Sequence, residues 1–312
     1  MKNKLSISGL ALVAVMTISA CSNPGATSPT GGASAPDSAP KSGAAQQKYE
    51  TDPDIASMVP EEYQERGSFK VSINPDVPPV KFVNSAGEIT GFAPDLLRAA
   101  GQVMGLEVNI QKGSFDSMVP GLEAKRFDVI GSIGDYEERR TNIDFIDYMQ
   151  SGTGIMVSAD FEKDKVASPA ELCGASIAFI VGTRQQGLIQ SASEKCEEKG
   201  EAPIKGIGYK NGAAAVLAVK SGQDDAAWID APSILYNVRQ NPETFKTLWL
   251  QPDPGVYGIG VHKDNADFRE ALRAALLKLV ETGAYRELIS SYGLEDLALP
   301  KIPVNSGGPL AG

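Results

Sequence analysis

Two hydrophobic periodicities alternate along most of this chain. In short runs every second residue is apolar, and in longer ones apolar residues return every three to four positions. The first pattern predicts strands and the second amphipathic helices. FKVSIN (Phe69 to Asn74) reads as a strand that runs into Pro75, Pro78 and Pro79, which break any helix. VKFVN is a second strand, turning at Ser85-Ala86-Gly87. Leu96, Leu97, Ala100, Val103 and Met104 then share one helix face. The strand LEVNIQ follows, and a short helix over SFDSMVPGLEAKRF turns Met118, Leu122 and Phe127 inward. After SGTGIMVS a second series begins: a helix over ASPAELCG closed by Gly174, the strand SIAFIV ending in GTR, and helices over QQGLIQSASEKCEEKG and NGAAAVLAVKSG. The strand DDAAWID brings Asp230 to its end, ahead of the helix APSILYNVRQ. VYGIGVHK is the last strand, and the longest amphipathic pattern runs from ADFREAL to ISSYG. Such alternation predicts an α/β fold with a ligand crevice outside the carboxyl ends of the strands.

Between the two series lies Asp128 to Asp147, DVIGSIGDYEERRTNIDFID. Val129 and Ile130 form a short strand, Gly131, Ser132 and Gly134 a turn, and Arg139 falls in what reads as the first turn of a helix. Free backbone N–H groups at such a junction, beside a guanidinium that grips a carboxylate through two hydrogen bonds, make an anion site. The same run also reads as a solvated helix start, with Glu137 and Glu138 favouring the helix dipole.

The first twenty residues read as a leader: Lys2 and Lys4, an apolar stretch from Leu5 to Ile18, then Ile18-Ser19-Ala20 before Cys21. ISAC looks like a bacterial lipobox, which implies cleavage before Cys21 and lipidation of its thiol. Residues 21–48 are almost wholly Ser, Pro, Gly, Ala and Thr and are expected to form a disordered tether. The chain carries 29 basic and 39 acidic residues, a balance that opposes nucleic-acid binding. Of three cysteines, Cys173 and Cys196 remain once Cys21 carries lipid, and in an exported protein they are expected to pair, for about 3 kcal/mol. With one histidine, His262, and no CxxC spacing, neither a metal site nor a cofactor is expected.

From about Phe69 to Leu294 the chain resembles the extracytoplasmic solute-binding proteins of ABC importers, family 3, in the branch that binds polar amino acids and in its lipoprotein form. GEITGFAPDLLRAAGQVMGLEV, SFDSMVPGLEAKRFDVIGS, EERRTNIDF, GQDDAAWIDAPSILY and YGIGVHKDNADFREALRAALLKLVETGAYRELISSYGL carry the resemblance by their order and spacing. It implies a two-lobed periplasmic-binding-protein-like fold of type II. Lobe one would be 67–150 plus 255–295, lobe two 152–251, and 296–312 a loose tail. It also implies a monomer that captures a small molecule without catalysis and presents it to a membrane permease. A sensor lipoprotein binding the same ligand is an alternative, and an exported dehydratase on the same fold another.

By the resemblance, Arg139 aligns with the arginine that clamps the ligand α-carboxylate, and Asp230 with the carboxylate that holds the α-ammonium. Gly182 and Thr183 align with carboxylate contacts from lobe two, and Phe115 with an aromatic wall. Ser132, Gly134 and Tyr136 complete the expected ligand-binding set, but where many relatives are Ser/Thr-rich before the arginine this chain offers only Ser132, followed by Gly134, with Tyr136 where a small hydroxyl residue is common. It departs from the pattern again at Val77 and Val80, where relatives often carry Phe or Tyr. Arg184 stands where a small polar residue is usual. In the cleft it would favour an acidic amino acid; alternatively it points to solvent or pairs with Asp135 across the cleft. Arg140 is expected at the surface, Trp228 in the core of lobe two or at the cleft, and Trp249, Tyr257 and Tyr285 in hinge or helix packing.

Overall fold

A computed structural model of the chain describes residues 48–252, 255–299 and 301–308; the expected leader, Cys21 and nearly all of the tether lie outside the described residues. The described chain opens on two short helices that the periodicities do not announce, α1 (Pro53–Met58) and α2 (Glu61–Arg66). Asp52 caps α1 by accepting from the N–H groups of Asp54 and Ile55, and Tyr63 of α2 stacks on Phe268 with ring centres 4.1 Å apart.

The first series runs β1 (Ser68–Ile73), β2 (Asp76–Val77), β3 (Lys81–Val83), β4 (Ile89–Thr90), α3 (Phe92–Met104), β5 (Glu107–Lys112), α4 (Phe115–Glu123), β6 (Val129–Gly134) and β7 (Ile143–Ser151). The second runs β8 (Thr153–Ser158), β9 (Ser176–Ile180), α5 (Arg184–Glu198), β10 (Lys205–Tyr209), α6 (Gly212–Lys220), β11 (Ala226–Asp230), α7 (Ala231–Gln240) and β12 (Phe245–Leu250). The chain closes with β13 (Gly255–His262), α8 (Ala266–Glu281) and α9 (Ala284–Ser291).

Ten of these strands build two five-stranded sheets, ordered β5-β1-β6-β13-β7 and β10-β9-β11-β8-β12, and β2, β3 and β4 form a small third sheet. In each five-stranded sheet, three parallel strands at one side meet a strand of opposite direction, β13 in the first and β8 in the second. The chain passes from one sheet to the other after Ser151 and returns between Leu250 and Gly255, so two crossings join two lobes. The side chains of β6 show how the first sheet is covered. Val129 faces the core under α3 and α8, whereas Ile130 meets Met118, Leu122 and Phe127 on and after α4, and Ile133 joins the same cluster because the register with β13 shifts between the two isoleucines. In the second lobe Ile155 and Trp228 belong to one core, and Met156 and Ala227 to another on the opposite face.

Three expectations change. The helix over ASPAELCG is one 3-10 turn, Pro169–Glu171, closed by a Ser168–Glu171 capping box; Gly174 follows too soon for another turn. The long C-terminal pattern is two helices, because Gly283 takes φ +82°, which a continuing helix cannot accommodate. The tail is not loose over residues 301–308. Val304 bridges to Ile146 on the edge strand β7, and Asn305 donates from its backbone to Phe145 and accepts the Phe145 N–H in return. Ile302 is buried, and Ser306 donates twice to Asp147. Backbone and carboxylate partners on an otherwise open sheet edge outweigh the Pro-Gly composition that suggested mobility.

Candidate functional site

Between the lobes, the ends of β6 and β11 and the N-terminus of α5 converge on one small cavity. Arg139 ends a 3-10 turn, Glu137–Arg139, in place of the expected helix. Its Nη1 donates to the Gly134 carbonyl at 2.7 Å, and its guanidinium lies 4.9 Å from the Tyr136 ring centre and 5.4 Å from that of Phe115. Burial pushes its pKa down, while Tyr136 and Asp230 oppose the shift. Tyr136 folds closely over the strand end at Gly134, where a Cβ would lie 2.6 Å from the ring and push it aside.

The other lobe contributes Asp230, held by Gln185. The Gln185 amide donates to Asp230 Oδ1 and to Thr153 Oγ1, both at 2.9 Å, and Thr153 in turn donates to the Ile229 carbonyl. Thr183 precedes α5 and uses its hydroxyl on the Ile180 carbonyl at 2.6 Å, so it lines the cavity with its donor engaged. Arg184 opens α5 with its guanidinium 5.3 Å from the Tyr136 ring centre and Nη1 3.4 Å from Gln251 Oε1. It therefore lies at the cleft and is not paired with Asp135. That carboxylate is gripped by Arg140 at 2.7 and 2.6 Å, so Arg140 is a half-buried anchor and not the expected surface residue.

Two further site expectations shift. Ser132 is fully buried beneath the cavity, its hydroxyl 2.7 Å from that of Tyr148, and only its carbonyl faces the site's polar groups. Gly182 sits at the rim with φ +81°, where the chain of lobe two comes close to Phe115 and Asp116 of lobe one.

Four polar lining residues were not among the expected site residues: Lys81, Asn74, Gln185 and Tyr257. Lys81 is 2 % exposed; its Nζ donates to Asn74 Oδ1 at 2.6 Å and to the Ser132 carbonyl at 2.9 Å. Burial brings its pKa down to about 8, against the pull of Asp230 and Asp76. A lysine inside the otherwise apolar run Val80 to Val83 was the available signal. Tyr257, expected in packing, has a buried hydroxyl with no hydrogen-bond partner among the described residues, and burial pushes its pKa well up. Trp228 is in the core of lobe two against Trp249, and Tyr285 packs in lobe one with its hydroxyl on the Tyr148 carbonyl. Val77 lines the cavity where an aromatic was noted as missing, and Val80 is in the core. The cavity encloses about 30 Å³, room for a water or two, so a larger ligand enters only when the walls move apart.

Residues 69–295 match the family described as bacterial extracellular solute-binding proteins, family 3. The chain belongs to that family. The arginine-binding protein ArgT of Corynebacterium glutamicum is 30% identical over 256 residues, covering 81% of this chain and 83% of that protein. The histidine-binding periplasmic protein of Salmonella typhimurium is 24% identical over 231 residues, covering 72% and 87%. Among solved structures, an ancestral arginine-binding protein bound to arginine superposes with a TM-score of 0.65 at 27% identity, covering 73% of this chain and 98% of that one. Within this family-3 solute-binding protein the Cys173–Cys196 pair is a disulfide, with Cα atoms 5.5 Å apart, and no described helix is long and apolar enough to cross a membrane.

Proposed function

We propose that this solute-binding protein captures a free amino acid outside the membrane and hands it to an ABC permease, held to the membrane by lipid on Cys21. The observation that carries the reading is the placement of Arg139 on one lobe and Asp230 on the other around a single cavity. A zwitterion satisfies both charges only when the lobes meet, so binding and closure are one event. A binding role is further supported by the place of the chain's one histidine: His262 is at the far end of β13 from the cavity, its Nδ1 accepting from the Asp264 N–H. Incubation with prephenate-like acids should therefore give no product.

The ligand side chain is read from the wall around these two groups. Arg184 and Lys81 line the same cavity as Arg139, and this excess of positive charge favours an acidic side chain such as glutamate or aspartate. A second reading, arginine, is supported by the rings of Phe115 and Tyr136, which already accept guanidinium groups at 4.9 to 5.4 Å, and by the arginine-binding relative.

Thermal unfolding of refolded protein against a panel of amino acids separates the two. A ligand with Kd near 1 μM at a thousandfold excess adds about 4 kcal/mol, a shift of several degrees. Glutamate or aspartate is expected to give it, and Arg184→Ala to reduce it selectively. A shift confined to arginine, or an acidic-ligand shift unchanged in Arg184→Ala, rejects the acidic assignment.

Lys81 supplies an independent test. Its ammonium is present below about pH 8 and lost above it. Affinity for an acidic ligand should fall as pH rises through that value, by up to about tenfold per unit, and affinity for arginine should rise. Titrations by calorimetry from pH 7 to 9, with Lys81→Met as the flat control, give the sign.

A further inference from the structure

A second cavity, of about 420 Å³, lies in lobe two on the other side of Arg184. Its volume falls within the usual range for small-molecule sites, roughly 300 to 1,000 Å³. The walls are largely apolar, made by Trp228, Trp249, Leu188 and Ala170, with Lys195 at the exposed mouth and Arg184 at the boundary with the cleft. The two indoles meet edge to face at 5.6 Å, and Trp228, 3 % exposed, has a buried N–H without a hydrogen-bond partner among the described residues. Two walls are covalently tied: Cys173 follows the turn Pro169–Glu171, Cys196 lies in α5, and their disulfide holds turn and helix together. The cavity is thus bounded by cross-linked backbone and aromatic side chains. Arg184 and Lys195 line it, with no acidic side chain among the described lining residues.

We propose that this cavity is a second binding site, for an aromatic carboxylate whose ring packs against Trp228 and Trp249 and whose carboxylate meets Arg184 and Lys195. Apolar walls select the ring, and the cations select the charge. The site stands apart from the amino-acid reading of the cleft, with which it shares Arg184 as a common wall.

Both tryptophans of the chain line this cavity, so tryptophan emission reports on it directly. The full chain titrated with phenylacetate should show a saturable emission change that persists in Arg139→Ala, where the cleft is crippled. It should weaken at least about tenfold in Lys195→Gln, whose exposed position leaves folding undisturbed, and in Ala192→Leu, which narrows the cavity. Overturning results are no saturable change up to about 10 mM, loss of the change in Arg139→Ala, or equal binding of phenethylamine.

Discussion

Arg139→Ala should lower affinity for the stabilising amino acid by about 2 to 5 kcal/mol, roughly 30-fold to several thousand-fold, while leaving the ligand-free protein folded. The asymmetry has a physical source. In the free protein the guanidinium is held over Tyr136 and Phe115 by a carbonyl contact, and burial disfavours its charge. Removing it costs the ligand-free fold little and takes the carboxylate's charged partner from the bound state. Calorimetric titration and a melting curve without ligand measure the two sides. Near-native affinity in the variant would remove Arg139 from the site.

Arg140→Ala should act on the other quantity, reducing stability by about 3 to 5 kcal/mol, the cost of leaving a buried charge without its partner. Asp135 has no exposed surface, and its carboxylate is held by Arg140 and by the Gly307 N–H at 2.8 Å. Arg140 also donates to the Gly307 carbonyl at 2.5 Å, so the same side chain fastens the C-terminal segment. Beside them Asp147, buried and next to Asp135, has its pKa raised from 3.8 to about 7. The folded state therefore holds a proton that the unfolded chain has released, and stability falls as pH rises from about 4 to 7. Without Arg140 the two carboxylates face each other uncompensated, so the loss should be larger at pH 8 than at pH 5, and Asp147→Asn should flatten that slope. Urea unfolding of the three proteins at both pH values checks this. An Arg140→Ala loss below about 1 kcal/mol, typical of exposed pairs, would return Arg140 to the surface.

The paired roles of Arg139 and Arg140 mark the limit of the sequence. Adjacent in the chain, they serve different structures: Arg139 ends the 3-10 turn over Tyr136 and Phe115 at the cleft, and Arg140, just beyond it, holds Asp135 and the Gly307 carbonyl of the tail. Sequence alone determined the alternation of strands and helices, the carriage of Asp230 to the end of β11, and the pairing of Cys173 with Cys196. Each depends on local periodicity, turn residues or residue count. Contacts between residues distant in sequence were decided only by the tertiary structure. Burial made Lys81 a cleft cation with a depressed pKa, Gln185 the holder of Asp230, and Ser132 a support for Tyr148. The edge of β7 ordered a tail whose composition reads as loose, since the backbone and carboxylate groups that hold it lie some 160 residues earlier in the chain. Local pattern specifies elements; desolvation and partner geometry, which give side chains their charge state and role, exist only once those elements pack.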